Sequence, residues 1–380
     1  MAGSGYPIAW YVEGMRIPVL VLCAVHAAVP GCAEPEARPP VVPAPMPTQA
    51  EAPPLPPPPA PIEDPPPPKP VMADAQRKFL SELEAALAAR DAKKVASLYS
   101  TGAVLTSTAK DGVHESMGRA EIETARARGF AVMGKAFPDV KWVHTRALQS
   151  GDVMIVEWAG SGTDTGGFLD DKPTNKKVGW RGISVLWFDD DGLVRREHNI
   201  LDPLTIMGQL GRGDAATRKV RSPAQVGAAG STVFISAKDS PEEKKNVDTV
   251  NAMYPLVGKK DDKALFAMLT DDVVHSDLTQ PDDAKGKDGV KKEIAGWLKA
   301  FPDLAIKATQ TWAFGDVVVT EVETTGTFKG PLGALKPNGK TATTHGIDVV
   351  ELKDGKIARV TSYANARELL VQYELLPAKK

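Results

Sequence analysis

Cysteine is nearly absent from this 380-residue chain: there are two, Cys23 and Cys32. Everything after residue 32 is therefore excluded from disulfide frameworks and thiolate metal sites. Charge of one sign is missing as well. Lys and Arg number 46 against 48 for Asp and Glu, a formal net charge of −2. No basic run occurs, so nucleic acid is not an expected partner. Membrane-spanning apolar runs are missing too. The stretch Ile17 to Val29 is too short to cross a bilayer as a helix but has the length of a signal-peptide core.

What is present at the start of the chain is address and spacer rather than fold. The apolar stretch ends at Val29-Pro30-Gly31-Cys32, which resembles a bacterial lipobox. That resemblance implies cleavage before Cys32, its lipidation, and export to the periplasm or outer membrane with a membrane lipid anchor. An ordinary signal peptide is the alternative, and either Met1 or Met15 would serve as the start. Residues 1–32 are thus read as leader and 33–72 as a proline-rich stalk, with runs at Pro56–Pro59 and Pro65–Pro68. Proline fixes φ and removes the amide donor, so the stalk stays in polyproline II. At about 3.1 Å per residue it reaches on the order of 100 Å.

The remainder says one thing twice. Lys135-Ala136-Phe137-Pro138-Asp139-Val140 returns as Lys299-Ala300-Phe301-Pro302-Asp303-Leu304. At a constant offset Gly151-Asp152-Val153 returns as Gly315-Asp316-Val317, Gly162-Thr163 as Gly326-Thr327, and Gly182-Ile183 as Gly346-Ile347. A period this long is a whole small domain, not a solenoid unit. The expected organisation is a first domain over 73–212, a linker over 213–239 and a second domain over 240–380.

Each copy opens with an apolar stripe at helical spacing (Phe79, Leu80, Leu83, Ala86, Leu87; Val247, Val250, Met253, Leu256) and a second short helix. A strand follows (Ala103 to Ser107; Val273 to Asp277), then a helix that ends at Phe-Pro-Asp. Thereafter the period becomes two, giving four strands per copy, with Asp191-Gly192 and Asp354-Gly355 as hairpin signals. A short helix closes each copy. This order is an α+β layout, one curved antiparallel sheet wrapped around helices. Ser231 to Ser236, in the linker, reads as an extra strand or a docking segment.

The order of elements, the Ala-Phe-Pro-Asp turn, the Gly-Thr step, the Lys172-Pro173-Thr174 loop and the ending Asp202-Pro203-Leu204-Thr205-Ile206-Met207-Gly208-Gln209-Leu210-Gly211 resemble SnoaL-like polyketide cyclases of the NTF2-like superfamily. The resemblance is strongest in the first copy and implies two tandem conical domains. It also implies a small hydrophobic molecule as partner, pairing of the two domains with each other, and chemistry without metal or organic cofactor. In the cyclases an aspartate seven residues before Gln-Leu-Gly works as acid and base in an aldol closure. Asp202 holds that position here, whereas the second copy has Asn365. Asp164 stands where the cyclases often carry histidine.

The residues leave alternatives open. Asp202 before Pro203 is also a standard helix N-cap, and asparagine caps as well as aspartate. His198, on the same strand, either lines a pocket or is a satisfied structural histidine. Glu157 and Glu321, at matching positions, point into the cone or toward a surface, because alternation does not tell which face is concave. Trp142, Trp180 and Arg181 are further pocket candidates in the first copy. Trp297, His345, Asp348, His275 and Asp277 are those in the second. His275 and Asp277 are spaced for a metal, but no third ligand is evident. Two functions remain in view: a cyclase or isomerase acting through Asp202 in the first domain, and a noncatalytic envelope module that binds a small apolar ligand or acts as a scaffold.

Overall fold

The computed structural model describes residues 71–109, 112–212, 221–224, 227 and 230–375. The leader, Cys32 and the stalk up to residue 70 lie outside the described residues, as does linker segment 213–220.

The first domain runs α1 (Met72–Ala89), α2 (Ala92–Ser97), β1 (Tyr99–Ala109), β2 (Gly112–Met117), α3 (Gly118–Ala136), β3 (Lys141–Ser150), β4 (Val153–Thr163), β5 (Lys177–Phe188), β6 (Val194–Leu201) and α4 (Pro203–Leu210). After the linker strand β7 (Val233–Ser236), the second domain repeats the plan. Its elements are α5 (Pro241–Lys259), α6 (Asp262–Ala267), β8 (Leu269–Asp277), β9 (Ala284–Lys285), α7 (Gly286–Ala300), β10 (Ala305–Phe314), β11 (Val317–Thr327), β12 (Thr341–Lys353), β13 (Lys356–Ala364) and α8 (Ala366–Gln372). The sheet orders are β2-β1-β6-β5-β4-β3-β7 and β10-β11-β12-β13-β8-β9. Both are mainly antiparallel, with parallel pairs at β1/β6, β13/β8 and β3/β7. The fold is the α+β cone, twice.

Most of the elements follow from local chemistry. Asp91 and Asp261 cap the second helix of each copy, accepting the amides of Lys94 at 2.8 Å and Ala264 at 3.1 Å. Ser240 and Glu243 form a capping box ahead of α5. Strand β2 has no counterpart in the sequence expectation. It is an edge strand whose Val113 and Met117 are exposed, so it carries no alternation of burial to read. Segment 231–236 forms β7, added in parallel to β3.

The repeated motifs turn out to be one structural joint. Asp139, from the Phe-Pro-Asp turn, accepts both the amide and the hydroxyl of Thr163, at 2.7 and 2.8 Å. Asp303 does the same for Thr327 at 2.8 and 2.6 Å. Gly162 is required beside this joint, because a Cβ there would stand 2.7 Å from that of Phe137. The motif thus ties the end of the central helix to the sheet in both copies.

The two sheets pack against each other through their outer faces. Val153, Ile155, Ile183, Val185 and Trp187 of the first meet Phe314, Val319, Ile347, Val349 and Tyr363 of the second in one buried cluster. Alternation then places Glu157 and Glu321 on this shared face, not in the cones. Glu157 is paired with Arg146 and accepts the Tyr363 hydroxyl at 2.7 Å. Glu321 lies 2.7 Å from Nδ1 of His198. Each carboxylate therefore reaches the last long strand of the other domain, the reciprocity expected of a two-fold pair. His198, expected as a possible pocket residue, belongs to this interface.

Candidate functional site: a cavity in the second domain

The inner faces of the two cones differ. In the first, Trp158 lies opposite Gly182 and Trp180 opposite Gly160 across the β4–β5 ladder. A Cβ at Gly160 would stand 2.5 Å from the Trp180 indole, and one at Gly182 would overlap the Trp158 ring. These glycines make room for indoles laid across the sheet. Trp142 closes the group edge-on, its ring 5.5 Å from Trp158 and 5.3 Å from Trp180, and Phe137 and Phe168 pack beneath. Trp142, expected as pocket lining, thus packs onto an aromatic core, and Trp180 belongs to that core while also bordering a smaller pocket.

The register of the second domain puts Ile306, Val322 and Thr344 where the first has Trp142, Trp158 and Trp180. With three indoles replaced by short side chains, a cavity of about 910 Å³ opens between sheet and helices. That is the size range of small-molecule sites. Its walls are largely apolar, among them Met253, Val257, Val290, Trp297, Phe301 and Tyr373. Trp297 is a wall residue stacked on Phe301, with ring centroids 5.9 Å apart.

One polar chain crosses this apolar space. His275 on β8 contacts Glu293 of α7 through Nδ1 at 2.6 Å and the Ser362 hydroxyl of β13 through Nε2 at 3.0 Å. Ser362 donates to Asp348 of β12 at 2.6 Å, and the Tyr254 hydroxyl of α5 donates to the other Asp348 oxygen at 3.1 Å. Burial pushes the Asp348 carboxyl up, and only part of that is offset by Ser362, the His275 charge and Tyr254. Burial works against the His275 cation too, but Glu293, Asp277 and Asp348 outweigh it, so its pKa is raised. Burial, with Asp348 beside it, lifts Tyr254 well above the usual phenol range. A hydroxyl between a carboxyl and an imidazole can accept from one and donate to the other. The chain can therefore move a proton between Asp348 and His275.

The first domain has a different buried network at the corresponding level. Glu197 is contacted by the Tyr99 hydroxyl, by Arg126 at 2.6 Å and by Ser184 at 3.1 Å, and Asn199 donates to Ser184 at 2.8 Å. Ser184 and Asn199 hold the positions of Asp348 and Ser362. Unlike His275, Asp277 and Asp348, the residues Tyr254, Glu293 and Ser362 stand in no sequence pattern that marks a site. The available signal was the contrast between copies: His275 replaces Leu105 and Glu293 replaces Gly129.

The remaining sequence candidates fall around these two interiors. Asp202 is buried as the N-cap of α4. It accepts the amides of Leu204 and Thr205, the Thr205 hydroxyl at 2.8 Å, and from the other domain the Ala366 amide at 3.2 Å. It lies on the wall of a smaller pocket, about 380 Å³, together with Trp180 and Arg181. Asn365 caps α8, accepting the Arg367 amide at 3.0 Å, and borders the large cavity. His345 also borders it and is held 2.8 Å from Glu368, which raises its pKa against the opposing effect of burial. Asp164 is fully buried, accepting Arg212 and the Thr174 amide and hydroxyl at 2.7, 2.9 and 2.8 Å. It braces the loop before β5.

Comparison with known families decides what these domains are. Residues 248–373 match the family of SnoaL-like polyketide cyclases, and residues 80–197 match the SnoaL-like domain family. The chain is a tandem of two SnoaL-like domains. The cyclase family proper falls on the second SnoaL-like domain, the one with the cavity, although the motifs had pointed more strongly to the first. Among solved structures, a SnoaL-like polyketide cyclase from Jannaschia sp. CCS1 is 20% identical, over 37% of this chain and 99% of its own, with a TM-score of 0.35. A polyketide cyclase from Xanthomonas campestris pv. campestris is 26% identical over 35% and 98%, with a TM-score of 0.30. An LEH-like epoxide hydrolase from M. tuberculosis is 18% identical over 36% and 93%, with a TM-score of 0.30. No curated protein sequence matches the chain.

Proposed function

We propose that the second SnoaL-like domain is the ligand-handling half of an exported lipoprotein. It takes a small, mainly apolar molecule and exchanges a proton with its polar end, as in a cyclisation or isomerisation. The observation that carries this reading is the cavity of about 910 Å³ with one hydrogen-bonded chain, Glu293–His275–Ser362–Asp348–Tyr254, crossing it. A buried carboxyl with a raised pKa suits acid–base work near neutral pH, and such transfer is worth about a hundredfold or more in rate. The first domain, its cone filled by indoles, serves as scaffold. This moves the acid–base role from Asp202, whose oxygens already accept four donors, to Asp348. Export and the membrane anchor rest on the apolar run and on Val29-Pro30-Gly31-Cys32.

The test fills the cavity. Val322 faces Gly346 across β11–β12 as Trp158 faces Gly182 in the first domain, so Val322→Trp has a seat already shaped for an indole. Titration of the full chain with Nile red should give saturable binding that Val322→Trp weakens about tenfold or more while the thermal melt is kept. Equal binding by both proteins would overturn the reading.

A further inference from the structure

The large cavity is not built by the second domain alone. Leu204 and Met207, both from α4 of the first domain, are among its wall residues. At 100° per residue, Leu204 and Met207 share one face of α4, whereas Ile206 and Leu210 share another. Ile206 and Leu210 are buried in the aromatic core of the first domain. Met207 packs against the edge of that core as well as lining the cavity, so the helix bridges the interior of its own domain and its neighbour's site.

The helix is held so that it can act as a wall. At its start Asp202 caps it and also takes the Ala366 amide, which fixes α4 against the first turn of α8. In its last turn the Gln209 side chain exchanges two hydrogen bonds of 2.9 Å with the backbone of Gly179. Just past its end Arg212 is buried on Asp164 at 2.7 Å and on the Phe168 carbonyl at 2.6 Å. These contacts seat α4 on the first domain from both ends. The matching helix α8 borders the second domain's own cavity through Leu369 and Leu370.

We infer that the ligand site is composite, and that Met207 and Leu204 of the first domain set the length of apolar chain that the second domain accepts. The site then takes elongated amphipathic molecules, polar at the end near Asp348 and apolar toward α4. This rests on the second domain being the ligand-handling half, and it assigns the first domain a part in selectivity.

The test is displacement of Nile red from the full chain by a homologous series of straight-chain methyl ketones, with wild type, Met207→Ala and Met207→Trp. Met207→Ala should move the best-bound ketone to a longer chain. Met207→Trp should move it to a shorter one and weaken the longest members about tenfold. Opposite shifts at one position cannot come from general loss of fold. An unchanged order of preference in both variants, with Nile red still bound, would overturn the composite site alone. Failure of the wild type to bind any ketone or the dye would overturn both it and the ligand-handling reading.

Discussion

The two halves of this chain share a joint, a sheet topology and an interface, yet one interior is solid and the other hollow. The cavity follows from a few side chains at matched positions. Trp142, Trp158 and Trp180 become Ile306, Val322 and Thr344, and the buried Asp164–Arg212 pair has the apolar Phe328 and Leu375 in its place. The backbone joints, Asp139 on Thr163 and Asp303 on Thr327, are the same in both. A SnoaL-like cone therefore stands on its turn and ladder chemistry. What fills the cone is decided separately, and the choice is between core and cavity.

The comparison can be broken most forcefully from the solid side. Trp158→Val places in the first domain the residue the second one carries there. Since this removes the indole against which Trp142 packs edge-on and leaves a void beside it, the substitution should cost about 3 kcal/mol or more. Chemical denaturation of the full chain measures this, and a loss below about 1 kcal/mol would mean that the indoles are not a unit.

A smaller effect sharpens the contrast from the hollow side. The Asp348 carboxyl has its pKa raised above the unfolded value near 3.8, chiefly by burial. Above that value the unfolded chain releases the proton while the folded one retains it. Stability therefore falls as pH climbs from about 4 toward the folded pKa and is level beyond it. Asp348→Asn removes this loss. The variant should gain stability over wild type as the pH rises, with little difference in acid. Ser184, at the corresponding position, has no carboxyl to titrate, so Ser184→Ala should show no such pH-dependent gain. Melting curves across pH would contradict the assignment if the Asp348→Asn difference were constant.

The smallest effect is expected at Asp202. Asparagine caps equally well and Asn365 already does so, which limits Asp202→Asn to a few tenths of a kcal/mol from the cap itself. Asp202 differs from Asn365 in also accepting the Thr205 hydroxyl and the Ala366 amide. A loss above about 2 kcal/mol would give Asp202 a structural role beyond capping.

Much of this architecture was readable in the sequence because it is written in local signals. The Phe-Pro-Asp and Gly-Thr repeats, the Ser240 box and the period-two stretches each specify backbone by short-range chemistry. The site was only half readable. Glu157 and His198 lie on strands whose alternation is plain, but which face of a curved sheet is concave depends on packing between domains. Their partners, Tyr363 and Glu321, come from the other copy. Tyr254 was hidden for another reason: it sits within an amphipathic stripe of α5, where an aromatic residue reads as core. The indoles of the first domain looked like pocket walls because a tryptophan is compatible with either use, and only Gly160 and Gly182 opposite them distinguish the two.

The short strand β7 lies along β3 and leads, within a few residues, to the Ser240 cap of α5. A joint of this length holds two domains at an effective concentration in the millimolar range or above, so their association is insensitive to dilution. In a homodimer every substitution appears in both subunits, and an indole that consolidates one cone would block the other. Fusion in one chain lifts that constraint: one domain can specialise as a stiff bearing while its neighbour stays hollow.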